Sequence, residues 1–411
     1  MASDRDLALS LLSPRAVRER TRILYDAGLD GKLEHFRIHP EKLPALADYV
    51  IATIRLNYPT RAIPFHARWR HFMAGGRNLW TEIDQTVPFA SPEARGRAAF
   101  DLAITSVLLD AGAGADWRYS DAATQTVSSR SEGLGVASLR MFVAGAFSAK
   151  SGDLLRADGA RLANLTAQDI ARDFQVSPEN PLVGLEGRAA LMRRLGDTIR
   201  ANHAVFGAKD APRPGGLFDH ITGNALNRSL PAASILEALL LHLGPIWPGR
   251  VALGGIPLGD CWKHALLKTN DSTSGLVPFH KLSQWMAYSL IEPLQWAGYT
   301  VTDIDGLTGL PEYRNGGLFL DGGVISLKDP AEAGFAHEPG STLVVEWRAL
   351  TVALLDAIAR PIRQKLGMDA AALPLAKILE GGTWSAGRRI ALEKRAGGGP
   401  PLSIISDGTV F

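Results

Sequence analysis

The chain has 411 residues, 46% hydrophobic and 21% charged, with a formal net charge of +2. That length buries a substantial core without disulfides, and acids and bases are interspersed with no Lys/Arg run, so there is no basic face for a long nucleic acid. The single cysteine, Cys261, excludes intrachain disulfides and cysteine-rich zinc sites, and it reads as a small buried hydrophobe in a reducing compartment, with a nucleophile as the alternative.

From the start of the chain, Met1 to Asp6 leads straight into charged, helix-like sequence, so no signal peptide is expected and the cytoplasm is the expected compartment. Residues 43–56 carry a helical pattern that Asn57, Tyr58 and Pro59 terminate. The aromatic group Trp69, His71, Phe72 and Trp80 reads as core. Ser91, Pro92 and Glu93 place a capping hydroxyl, a first-turn proline and a dipole-matched acid before an apolar face at Phe100, Ile104, Val107 and Leu108, and Gly112 stops the helix. Thr166 and Asp169 start another helix in the same way, and residues 185–206 and 232–243 follow. The most apolar stretch, residues 232–247, carries Glu237 and His242, is broken by Gly244 and Pro245, and is too short to span a bilayer.

A further helix begins near Pro278. Toward the end of the sequence Ser341 caps a long helical stripe through Val344, Trp347, Leu350, Leu354, Leu355, Ile358 and Ile362, which Pro361 is expected to kink or divide and Gly367 to end. Strand-like segments are short: residues 299–304, 317–327, and 402–405 before a Ser406-Asp407-Gly408 turn. Strands do not alternate with helices, so no doubly wound sheet is expected. The expectation is a mainly α protein with a few short strands, one domain over residues 1–411, with two lobes around a central cleft as a variant and weak joints at 148–158 and 209–216.

Four stretches concentrate chemistry. Residues 303–317 read DIDGLTGLPEYRNGG and are closed by Asp321. Asp305, Glu312, Tyr313, Arg314 and Asn315 there suit a polyhydroxylated substrate, with arginine able to fork onto a phosphate or carboxylate. The other reading is a structural turn in which Arg314 pairs with Glu312 or Asp305 and Tyr313 fills the core. Residues 279–285 read FHKLSQW after NDSTSG at 270–275. On a helix, Lys281 and Trp285 share a face, as do His280 and Gln284, either as ligand contacts or as satisfied core groups. Asp260 and His264 stand four apart, which suits metal ligands or an oriented histidine, but the favoured reading is a helix-capping aspartate with His264 one turn later. With no third partner and no HExxH, no metal is expected. Finally, RSEGLG at 130–135 follows no strand and lacks a full phosphate-loop pattern. Glu132 and Arg140 are substrate contacts there or a buried ion pair.

Several of these motifs carry a resemblance. RSEG at 130–133, VPFHKLSQW at 277–285, DGLTGLPEYRNGG at 305–317, EWRALT at 346–351 and the ending SDGTVF at 406–411 resemble the uracil-catabolism family of fungi and bacteria. Its members belong to the pathway that dismantles uracil through a ribosylated, ring-opened intermediate. The central stretch is also similar to the queuosine-salvage nucleoside hydrolases, all-helical proteins related in fold to DNA glycosylases, which carry F-x-K-x-x-Q and then L-T-x-x-x-D-Y-R. Phe279, Lys281 and Gln284 match the first pattern. Leu307, Thr308, Tyr313 and Arg314 match the second, with Glu312 in place of the aspartate and Asn-Gly-Gly in place of a proline-containing turn. The extra methylene moves the carboxylate by ~1 Å, a displacement that catalysis notices.

Together the resemblances imply hydrolysis of the N-glycosidic bond of ribosylurea or its phosphate. Glu312 would meet the developing sugar cation, with Asp271 or Asp321 as second acid. Lys281 and Arg314 would hold ribose hydroxyls or a phosphate, and Tyr313, Gln284 and Trp285 would shape the base or urea pocket. His280, Asn315, Asp305, Glu132 and Arg140 would be further substrate contacts. No cofactor is required, and the partner is a small nucleoside- or nucleotide-derived molecule rather than nucleic acid or membrane. The alternatives are uracil phosphoribosyl transfer, which normally uses an adjacent acidic pair absent from this sequence, and a non-catalytic nucleotide sensor or scaffold.

Overall fold

A computed structural model describes residues 2–207, 211–247 and 251–405. Lys209 and Asp210 of the expected joint, the expected Ser406-Asp407-Gly408 turn and the SDGTVF ending lie outside the described residues. Helices carry most of what is described, and the strands are two or three residues long and paired in twos, so the protein is mainly α-helical.

The chain opens with α1 (Asp4–Leu11) and α2 (Pro14–Leu29), started by the side chains of Ser3 and Ser13, which accept first-turn amides. Next come α3 (Leu43–Asn57), α4 (Leu79–Thr86) and α5 (Pro92–Leu108), the last begun by Ser91, whose hydroxyl accepts the Ala94 N–H. Then follow α6 (Arg130–Val143), α7 (Gly159–Leu162) and α8 (Ala167–Asp173), where Thr166 and Asp169 close a reciprocal capping box. The single helix expected over 185–206 is two, α9 (Leu185–Ala201) and α10 (His203–Phe206), because Asn202 between them leaves helical geometry at φ −115° and ψ 63°. After α11 (Gly216–Gly223) and α12 (Ala232–Leu243) the chain reaches the elements that build the candidate site. These are α13 (Lys281–Trp296), α14 (Tyr313–Asp321), α15 (Thr342–Leu366), α16 (Leu375–Ile378) and α17 (Trp384–Lys394).

Three other expectations are corrected. Residues 317–327 are not a strand: the Glu312 carboxylate caps a helix that runs to Asp321, and only Ile325–Leu327 is extended, pairing with Phe36–Ile38. Asp260 and His264 do not share a helix, since Cys261–Lys263 is a strand antiparallel to Leu276–Pro278. Pro361 does not divide α15, which continues to Leu366 and closes on Gly367 in the left-handed region.

The buried apolar side chains form one contiguous core from Ala8 to Leu402, with a small satellite around Val17, Phe279 and Val345. Within it α13 packs on α5 and α12, α15 packs on α2 and α3, and α14 lies between α15 and α17. The Asn315-Gly316-Gly317 run is part of this packing, not the tight turn its composition promises. A Cβ on Gly316 would meet the Trp347 indole and the Thr351 hydroxyl, so the missing side chain lets α14 sit directly on α15. On the opposite face, a Cβ on Gly387 of α17 would collide with the Arg314 carbonyl oxygen. Backbone cannot retreat as a side chain can, so Gly387→Ala is expected to destabilise the fold by ~1–3 kcal/mol, read as a lowered Tm.

Candidate functional site

Construction starts at the first turn of α13. His280 sits in the left-handed region at φ 51° and supplies no capping side chain. The cap comes from the neighbouring strand pair instead: Asp260 Oδ2 accepts the Lys281 N–H at 3.0 Å. Arg348 of α15 donates to both Asp260 oxygens at 2.7 Å, and the Trp262 indole donates to Oδ1 at 2.7 Å. Burial pushes this carboxyl up, but the Arg348 guanidinium and the hydrogen bonds outweigh it and hold it far below the usual carboxylate range. His280 Nε2 donates to the Leu11 carbonyl at 2.9 Å, and burial keeps the ring neutral. With its backbone fixed, Lys281 projects into a setting where burial, then Arg348, lower its ammonium pKa, opposed by the carboxylates of Glu312, Asp260 and Asp110.

Glu312 faces it from the start of α14. Its two oxygens accept the Arg314 N–H at 2.7 Å and the Asn315 N–H at 2.5 Å. The carboxylate therefore sits on the positive end of a helix. Burial lifts its pKa above the ordinary glutamate value, and those two bonds, Lys281 and His66 pull against that lift. Glu312, Lys281 and Tyr313 nevertheless keep part of their surface accessible. If the ionised carboxylate is the working form, the acid limb of kcat/KM lies above pH 4.5, the ordinary glutamate value, and activity is lost as pH falls through it. A pH–rate profile checks this.

The facing wall is made by residues 63–71 and by a π-helical turn, Leu379–Thr383. Such turns insert an extra residue and recur at functional positions. This one presents Glu380, whose Oε2 bonds His66 Nδ1 at 2.7 Å while the Tyr58 hydroxyl donates to Oε1 at 3.3 Å. Burial pushes Glu380 up, and the hydrogen bond from His66, with the Arg70 charge, reverses the shift and holds it below the ordinary glutamate value. The His66 ring lies 6.5 Å from Trp285 and 6.1 Å from Trp384, and His71 stands edge-on to Trp285 at 5.6 Å. Burial, then Arg68, push His71 down to about 3, so it is neutral. Arg68 lies over the Trp285 ring at 5.6 Å, bonds Ser106 Oγ at 2.7 Å and pairs with Asp110 at 3.2 Å.

Buried polar atoms on this wall stay unmatched. Among the described residues Arg68 Nη2, His71 Nδ1 and Trp285 Nε1 have no hydrogen-bond partner. Such atoms are rare in folded proteins and each calls for a partner. Surface crevices lie elsewhere, one lined by Arg97, Arg156, Arg213 and Asp219, another by Arg18, Tyr25, Asp356 and Arg360.

The residues singled out in the sequence divide accordingly. Lys281, Trp285, Glu312 and Tyr313 come together. Gln284 is fully buried and tied to the Thr308 hydroxyl at 2.5 Å, which locks α13 to the loop before Glu312. Arg314 turns away, bonding the Gly398 carbonyl at 2.7 Å, and Asn315 bonds the Leu310 carbonyl at 3.2 Å. Asp305 pairs with Arg363 at 2.5 Å and accepts the Leu375 N–H at 2.6 Å. Asp271 is exposed and folds onto its own loop through Thr269 and Thr273. Asp321, at the far end of α14, is held by Arg395 at 2.7 and 2.5 Å. Neither is brought to Glu312. Glu132 meets Arg388 at 3.4 Å on the surface, and Arg140 pairs with Asp121 at 2.8 Å, so those two do not pair with each other. His264 lies 3.3 Å from the buried Glu346. Cys261 is buried, and burial with neighbouring Asp260 pushes its thiol up to about 12. Sequence reasoning missed His66, Arg68, Asp110 and Glu380. Three basic side chains and a second histidine crowded into HARWRH at 66–71 were the available signal.

Residues 10–411 match the family described as Protein of unknown function (DUF1688). The chain belongs to that family. "Uracil catabolism protein 4" of Lachancea kluyveri is 38% identical over 433 residues, covering 96% of this chain and 97% of that protein. "Protein urg3" of Schizosaccharomyces pombe is 38% identical over 410 residues, covering 98% of each. The first alignment is longer than this DUF1688 chain of 411 residues, so the Lachancea kluyveri protein carries insertions that this chain lacks. Among its described residues, no helix is long and apolar enough to cross a membrane, and no group of three or more His, Cys, Asp or Glu is placed to hold a metal ion.

Proposed function

We propose that the protein is a hydrolase of uracil catabolism that cleaves the N-glycosidic bond of ribosylurea, or of its phosphate, to urea and ribose or ribose phosphate. The pathway assignment rests on the full-length relative named for uracil catabolism. The reaction class is supported by one arrangement: the helix-capping carboxyl of Glu312 opposite the Lys281 amino group, beside a wall where buried N–H groups of Arg68 and Trp285 stay unmatched.

Breaking a C–N glycosidic bond builds positive charge on the sugar, and a carboxylate held in a low-dielectric setting stabilises that charge more strongly than water does. Glu312 supplies the charge and accepts a proton from the attacking water. Lys281 holds a ribose hydroxyl or a phosphate oxygen. The ureido group, flat and carrying one carbonyl oxygen with two lone pairs, lies against Trp285, where Arg68 and the indole N–H donate to that oxygen. Purified protein is expected to release urea from ribosylurea or its phosphate. Failure to turn over either compound would sink the reading, and a raised Tm without turnover would mark a binding protein instead.

A further inference from the structure

We infer that His66 is the acid that protonates the departing nitrogen, and that Glu380, presented by the π-helical turn, is the residue that positions it. The inference rests on the hydrolase reading above and adds the half of the reaction that Glu312 cannot perform.

The geometry fixes the histidine's chemistry. An ionised carboxylate only accepts, so the 2.7 Å bond from His66 to Glu380 puts a hydrogen on Nδ1 and leaves proton exchange to Nε2, on the opposite edge of the ring. No described group bonds Nε2, whereas Nδ1 is doubly secured, because the Tyr58 hydroxyl holds the other Glu380 oxygen. Trp285 and Trp384 lie near the ring at 6.5 and 6.1 Å, and the same Trp285 contacts His71 and Arg68. His66 also stands close enough to Glu312 to act on its carboxyl electrostatically. Acid and carboxylate therefore stand on opposite walls of one cluster, the arrangement needed to act on the two ends of a single bond.

In the step, the C1′–N bond breaks and its electron pair goes to nitrogen, while Nε2–H of the imidazolium passes its proton to that nitrogen, so urea leaves neutral. Water adds to C1′ and loses a proton to Glu312. The sum is ribosylurea plus water giving ribose plus urea, and the two side chains recover their starting protonation by exchange with solvent. His71 does not serve as this acid, because burial and Arg68 keep it neutral.

The test compares a poor and a good leaving group in the full-length protein. Ureido nitrogen needs a proton to leave, whereas the phenolate of p-nitrophenyl ribofuranoside does not. His66→Gln is expected to lower kcat on ribosylurea by about 10²–10⁴-fold and on the nitrophenyl riboside by less than about tenfold. Glu380→Gln, a second variant that leaves the imidazole in place, is expected to show the same split with a smaller loss. Equal losses on both substrates, or no loss on ribosylurea, would overturn the inference while the hydrolase reading stands. The comparison is run on ribosylurea or on its 5′-phosphate with the matching nitrophenyl riboside, and wild-type protein that cleaves none of these overturns both.

Discussion

Glu312→Gln is expected to abolish most turnover while leaving the protein at least as stable as the wild type at neutral pH. The two halves of this result have one cause. Glu312 is a carboxyl group confined by protein, with burial raising its pKa above the ordinary glutamate value. A folded-state pKa raised above that of the unfolded chain means that ionisation opposes folding at neutral pH. The penalty fades as pH falls, because the native state takes up the proton first. Glutamine removes the charge but keeps one oxygen to accept the Asn315 N–H, so cap loss is limited to about 1 kcal/mol. The stability difference between the two proteins should shrink as pH is lowered through the raised pKa. Turnover behaves oppositely: without the negative charge the sugar cation is unopposed, and a loss of about 10³-fold in kcat, about 4 kcal/mol, is expected. Urea release and thermal melts on the same preparations decide it. If the carboxylate is only a helix cap, Tm falls and nothing else changes.

Local chemistry was legible in the sequence where a few adjacent residues decide the outcome. Ser91-Pro92-Glu93 and the Thr166/Asp169 box start helices as their types demand, and the Ser341 stripe is one helix. Failures occur where distant partners override local preference. Asp260 looks like a local cap four residues before His264, yet it caps a helix twenty-one residues later and is held by Arg348 from another element. Asn315-Gly316-Gly317 looks like a turn because glycine permits one, but Gly316 is demanded by Trp347 and Thr351, and Gly317 packs close to Pro401. Likewise, the central stretch announces Lys281 and Glu312 in sequence. The facing wall arrives from residues 66–71 and 380, more than two hundred positions earlier and about seventy later, and no periodicity links them. Asp271 and Asp321 are close to the motif in sequence only: the first folds onto its own loop and the second pairs with Arg395.

The largest effect on stability is expected from Asp260→Asn. Arg348 is buried, and its charge is balanced by the carboxylate it grips through both terminal nitrogens at 2.7 Å. An asparagine in the same place keeps one acceptor oxygen and turns an NH2 toward groups that only donate: Arg348, and either the Trp262 indole or the Lys281 N–H. Breaking a buried pair in this way costs about 3–5 kcal/mol, because one charge remains uncompensated in a medium that cannot solvate it. The Asp260 pKa is depressed in the folded state, so its contribution is complete above the ordinary aspartate value and is lost only as pH falls through the lower folded value. The loss in Tm should accordingly be the same at pH values on the order of 5 to 8, well above that window. Adding Arg348→Met removes the stranded cation and should recover part of the stability, a coupling that a double-mutant cycle reads directly. Activity should not return with it. Asp260 also fixes the first turn of α13, and a recovered fold with a displaced Lys281 backbone would still lack the ammonium opposite Glu312. Recovery of both together would mean that the pair supports the fold alone and that Lys281 is held in place without it.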